Sequence, residues 1–282
     1  MVTRRSRGSA ASVLGAILLG STLFATSSPV VAAPVPQTSG RILCVNIAGG
    51  TATAPCTNAT AYRTIQAAVD AARSGDEIRI AKGTYTSTDP RIVEISDKSL
   101  SLVGGFSASN WTTPGAASET VIDGQDQRQG ISVSGAGIEL AHLTLTRGRA
   151  DIGGAMYVSG LFEQPVVLFD VVVRENTATS SGGGLFVATA LTIIEQTQLT
   201  QNVAEEDGGA FFGLRLEATD SEMTNNTAAR KGGAAHVSWY STFERTLIAN
   251  NKATAGSGGA LYVQGDTTLS QVELVNNTAG EF

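Results

Sequence analysis

Cysteine, proline, histidine and positive charge are all scarce in this 282-residue chain. Each shortage excludes something. Two cysteines do not furnish a disulfide-dense scaffold, and neither histidine lies near them in sequence, which disfavours a zinc site. Seven prolines beside 32 glycines allow many tight turns while leaving hydrogen-bonded ladders uninterrupted. Lys and Arg number 19 against 25 Asp and Glu, a net charge of −6, which argues against a nucleic-acid partner. The same charge disfavours a polyanion such as pectate unless bound cations reverse the local sign. The only long apolar run, from about Ala10 to Phe24, is shorter than the roughly 20 residues that a spanning helix needs.

That run follows Arg4, Arg5 and Arg7 and precedes small residues up to Ala33, so residues 1–32 read as a secretory signal peptide cut after Ala32. Its loss removes three cations and no acid, leaving a more acidic mature chain with no later membrane span. A secreted or cell-surface location follows as an expectation. Cys44 and Cys56 lie in the segment 33–61 of this exported chain and are expected to pair, with metal ligation the weaker alternative.

What is abundant is repetition. Asn176, Asn202, Asn226 and Asn251 each lead, through Ala and a few polar residues, to a Gly-Gly pair and an apolar run. A fifth copy opens at Asn277. The steps of 26, 24, 25 and 26 residues signal stacked supersecondary units. Before them, Tyr62 to Ser74 has helical spacing at Ile65, Ala68, Val69 and Ala72, with Thr64 as N-cap and Gly75 as stop. From Glu77 onward the pattern is short alternating runs between Gly, Asn, Asp and Ser turns. The expectation is an all-β protein: a right-handed parallel β-helix (solenoid) with a short N-terminal capping helix at 62–76 and coils over 77–282. The last repeat stops at Phe282 before its Gly-Gly, so the sequence reads as a fragment truncated at its C-terminus.

The run Tyr62-Arg63-Thr64-Ile65-Gln66-Ala67-Ala68-Val69-Asp70-Ala71-Ala72, followed by Gly75-Asp76-Glu77-Ile78 and Lys82-Gly83-Thr84-Tyr85, resembles the N-terminal cap of the pectin-lyase-like superfamily. The Asn-x-Ala and Gly-Gly-Ala phrases resemble the repeats of polymorphic outer-membrane proteins. Such a resemblance implies the β-helix fold and leaves activity open, because the superfamily includes lyases, hydrolases, esterases and non-catalytic surface proteins.

Stacked coils turn sequence columns into physical columns. Asn176, Asn202, Asn226, Asn251 and Asn277 are expected to form an amide ladder, with tolerance of a left-handed backbone as a second reason for asparagine; ligand binding by these amides is the alternative. The Gly-Gly pairs supply positive φ and close coil approach. A phosphate cradle is disfavoured, because a strand and not a helix follows. Alternation points Met156, Leu185, Phe211, Ala235 and Leu261 inward and Tyr157, Phe186, Phe212, His236 and Tyr262 outward. That ring column either stiffens the sheet by cross-strand packing or stacks against a sugar chain.

Charged groups offer two further readings. Glu206 with Arg230 and Asp207 with Lys231 are expected to form ion pairs between coils. Asp123, Asp126 and Arg128 form a compact acidic and basic turn, either structural or catalytic. The function expected is a secreted or cell-surface interaction protein for a polysaccharide or another cell-surface ligand, without catalysis, cofactor or metal. The alternative is a polysaccharide lyase or hydrolase with its site in the early coils or in missing C-terminal sequence. Calcium enters only under that alternative.

Overall fold

The computed structural model describes residues 40–160 and 162–280; residues 1–32, expected to be a signal peptide, and residues 33–39 lie outside the described residues. The chain winds as a parallel β-helix. One sheet stacks Ile42–Val45, Glu77–Ala81 and Leu100–Phe106 on the first half of Ile138–Thr146, and continues in parallel register to Thr267–Ser270. A second sheet runs from Gly83–Tyr85 through Thr120–Asp123 and Gln198–Thr200 to Glu273–Val275. A third runs from Arg91–Ser96 through Gln129–Ser134 and Met156–Ser159 to Leu261–Val263. A short ladder from Arg149–Ala150 to Thr278–Ala279 follows the asparagine corner.

Period-two alternation fills the interior. Met156, Leu185, Phe211 and Ala235 stack in a fully buried column, as do Leu145, Val173, Leu199, Met223 and Ile248. Removing one such side chain from water contributes roughly 1.5–3 kcal/mol, and every coil repeats the gain. A single-residue corner separates the first sheet from the second. His142, Asp170, Gln196, Asp220, Arg245 and Gln271 occupy it with φ of 46–54°. The corner from third sheet to first varies instead, longest between Val158 and Val166 and shortest between Gly213 and Leu216.

The helix occupies Ile65–Ala71, ending short of the sequence reading. Thr64 caps it by accepting from the Ala67 N–H at 3.1 Å. It stops before Gly75 because its last carbonyls find donors elsewhere: Lys98 Nζ reaches Val69 and Ala72 oxygens at 2.8 and 3.2 Å, and Arg41 reaches Ala71 at 2.9 Å. Ile65, Ala68 and Val69 are buried against the first strands of the solenoid. Cys44 and Cys56 form a disulfide with Cα atoms 5.7 Å apart.

Candidate ligand-binding face

The asparagine column is a continuous amide ladder. Nδ2 of Asn176, Asn202, Asn226 and Asn251 donates to Oδ1 of the next asparagine at 2.9–3.0 Å. The same Nδ2 groups also donate to the carbonyls of Leu145, Val173, Leu199 and Met223. Each receiving Oδ1 takes a second bond from the preceding asparagine's backbone N–H. The first four residues are fully buried, so these bonds leave no amide for a ligand. The left-handed conformation belongs one place earlier, to Glu175, Gln201, Asn225, Asn250 and Asn276 with φ of 52–58°. The sequence reading placed that requirement on the ladder itself. It falls on these preceding residues, four of them exposed and Glu175 half-buried, because the ladder amides must point inward.

The glycine pairs divide their labour. Gly182, Gly208, Gly232 and Gly258 hold φ of 66–73°. Their successors need the missing Cβ, since one built on Gly209 would sit 2.2 Å from the Gly233 oxygen.

The ring column follows, and its rings pack mainly on one another. Phe186 and Phe212 are stacked with centroids 4.8 Å apart and planes inclined by 12°, and Tyr157 lies 5.9 Å below Phe186. His236 meets Phe212 and Tyr262 edge to face at 4.8 and 4.9 Å. Ring faces are thereby engaged across coils, and the four carbocyclic rings are half-buried while His236 is buried. Burial pushes the His236 imidazole below its ordinary pKa, opposed in part by the Asp207 carboxylate 3.4 Å away. Neither ring nitrogen completes a hydrogen bond.

The charged candidates resolve unequally. Arg230 pairs with Glu206 at 2.9 Å. The expected Asp207–Lys231 pair is not formed, although the two residues bridge in register. Lys231 Nζ instead lies over the Tyr262 ring at 4.6 Å, and Asp207 faces Arg230 and His236. Cation–π attraction and the nearer guanidinium outcompete the vertical pair. Asp123 takes a cation from the next coil, not Arg128. It is bound by both the Nε and Nη2 of Arg147, while Arg128 reaches Gln125. His142 Nδ1 meets Asp170 at 2.7 Å, the single-residue corner thus carrying its own pair.

A cleft of about 460 Å³ between the helix and Arg91–Ser96 is lined by Gln66, Asp70, Arg91, Glu94 and Lys98. Its polar groups are the seam itself. Gln66 exchanges bonds with the Glu94 backbone at 2.7 and 3.1 Å, and Lys98 holds the helix carbonyls.

One cluster escaped the sequence reading. On the outer face of the first sheet, Glu77, Ser101 and Glu139 share a register position. Burial chiefly raises the Glu139 pKa, and the Glu77 charge adds to it against a Ser101 hydrogen bond. Arg79 pairs with Glu77 at 2.5 Å, bonds the Trp111 carbonyl and lies over Phe106 at 5.1 Å. The alternation of Glu77-Ile78-Arg79 with Glu139-Leu140 was the available signal, hidden because these early coils lack the fixed period.

Comparison with family models gives no match, and comparison with curated proteins gives none. Among solved structures the chain is similar to pectate lyase Pel9A, at 14% identity and a TM-score of 0.47, over 82% of this chain. It spans 62% of that lyase. The β-helix assignment rests on the coil pairing itself. Among the described residues no helix is long and apolar enough to cross a membrane, and no group of three or more His, Cys, Asp or Glu side chains is placed to hold a metal ion.

Proposed function

We propose that this chain is a secreted or cell-surface β-solenoid that holds a glycan on its side without breaking it. Its relation to polymorphic outer-membrane-type repeats belongs to the same proposal and rests on the Asn-x-Ala and Gly-Gly-Ala phrases. The observation that carries the reading is cross-coil pairing. Asp123 with Arg147, His142 with Asp170, Glu206 with Arg230 and Asp220 with Arg245 each tie one coil to another. Groups that would otherwise serve as acid, base or anchor are thereby assigned to the scaffold. Incubating the purified protein with hexagalacturonate and calcium tests this: no unsaturated product is expected, and new product absorbance would overturn the reading.

A second reading, a polysaccharide lyase or hydrolase working from the early coils, is favoured by Glu139. A half-buried carboxyl whose pKa is raised, chiefly by burial, is the kind of group that serves in proton transfer. Under that reading, Glu139→Gln abolishes any activity found, whereas Asp123→Asn acts only on stability.

A further inference from the structure

The third-to-first corner is where the repeat breaks, and three unlike residues from different coils converge there. The long corner after Val158 carries Phe162 up to the short corner at Arg215, whose Nη2 donates to the Phe162 carbonyl at 3.1 Å. The guanidinium lies 4.1 Å from the Phe162 ring centroid. Trp239, on the following coil, meets Phe162 edge to face at 5.8 Å with planes inclined by 76°. Despite these contacts Phe162 remains 44% exposed and Trp239 52%, while the chain's other tryptophan, Trp111, is 1% exposed. Keeping a phenyl and an indole in water forgoes burial that either ring could gain. Nothing in the repeat requires it, since the equivalent corners manage without aromatic residues.

We propose that Phe162, Arg215 and Trp239 form a platform for a neutral pyranose chain, with a sugar C–H face on the Trp239 indole and sugar hydroxyls toward the Arg215 guanidinium. This refines the glycan-holding reading, on which it rests, and moves the contact away from the ring column, whose faces are occupied. Two observations select the ligand. The patch is one indole and one phenyl beside one guanidinium, too few side chains for the roughly 20–30 residues a side of a stable protein interface, so a short stretch of sugar fits it better. The protein carries a net charge of −6, and Arg215 is already engaged with Phe162, so hydroxyls suit the site better than a run of carboxylates.

Calorimetric titration of the purified protein with cellohexaose, xylohexaose, mannohexaose and hexagalacturonate decides it. Saturable binding of at least one neutral hexasaccharide is expected, weakened about tenfold or more by Trp239→Ala and by Phe162→Ala. Emission from buried Trp111 verifies folding of the Trp239→Ala variant. Binding that persists within about twofold in a folded Trp239→Ala protein overturns the platform and leaves the glycan-holding reading intact. No binding of any hexasaccharide overturns both. Tighter binding of hexagalacturonate than of every neutral probe overturns the ligand class.

Discussion

Replacing Asn226 with alanine should destabilise the solenoid more than any substitution on its surface. Five hydrogen bonds meet at this side chain or depend on its register: its Oδ1 accepts from the Asn202 backbone N–H and Nδ2, its Nδ2 donates to Leu199 O and Asn251 Oδ1, and its own N–H donates to Asn251 Oδ1. Alanine removes the first four. It leaves the buried Asn202 N–H without its acceptor and removes side-chain donors from Leu199 O and Asn251 Oδ1. Two buried orphans at about 1–3 kcal/mol each, with a small cavity, give roughly 3–5 kcal/mol. That is a large share of the about 5–15 kcal/mol available to a domain, and at about 2–4 °C per kcal/mol it lowers Tm by roughly 10 °C. The matched control is Asn225→Ala, one residue away and exposed with φ of 57°, where the cost is about 1 kcal/mol from backbone conformation alone. Thermal and denaturant unfolding of the two variants, side by side, measure the difference. Equal losses would refute the ladder as the dominant internal bond system at this corner.

Gly209→Ala should cost at least about 3 kcal/mol in denaturant unfolding, because its Cβ would stand 2.2 Å from the Gly233 oxygen on the next coil. His236→Phe should flatten the stability profile below pH 6.5. The folded imidazole titrates below its unfolded value, so its contribution is present above about pH 6.5 and declines as protons bind the unfolded state first, and a variant as acid-sensitive as the parent would contradict this. Asp76 accepts from the Arg41 side chain and from the Arg41 and Arg73 backbone. Burial raises its pKa, but these bonds hold it below the ordinary carboxylate value. Its stabilisation is therefore present above about pH 4 and lost on further acidification, a loss that should shrink in Asp76→Asn when unfolding is followed from pH 5 to pH 2. Reducing the Cys44–Cys56 bridge should lower stability by about 3 kcal/mol, read as a Tm shift with and without reductant.

The solenoid was legible because its period is physical: Asn202 lies beneath Asn226 in sequence alignment and in space alike. The same columns made the inward Met156, Leu185 and Phe211 stack readable from alternation alone. Side-chain direction was not legible. Lys231 and Asp207 stand in register, yet the ammonium turns toward Tyr262, a choice set by a neighbour on another coil. The left-handed corners were misplaced by one residue because asparagine suits both a ladder and a positive φ. Glu175 and Gln201 show that the corner itself does not demand asparagine. Phe162 and Trp239 stayed invisible for a related reason. Residues that break a repeat have no column, and only the folded chain brings the long corner against the short one.

A scaffold that binds without catalysis leaves a held glycan whole. The mass of the neutral hexasaccharide eluted from the protein after a day at neutral pH measures this directly. Recovery at its original mass is the predicted result; fragments shortened by addition of water, or bearing the double bond left by elimination, would contradict a scaffold that binds without cutting.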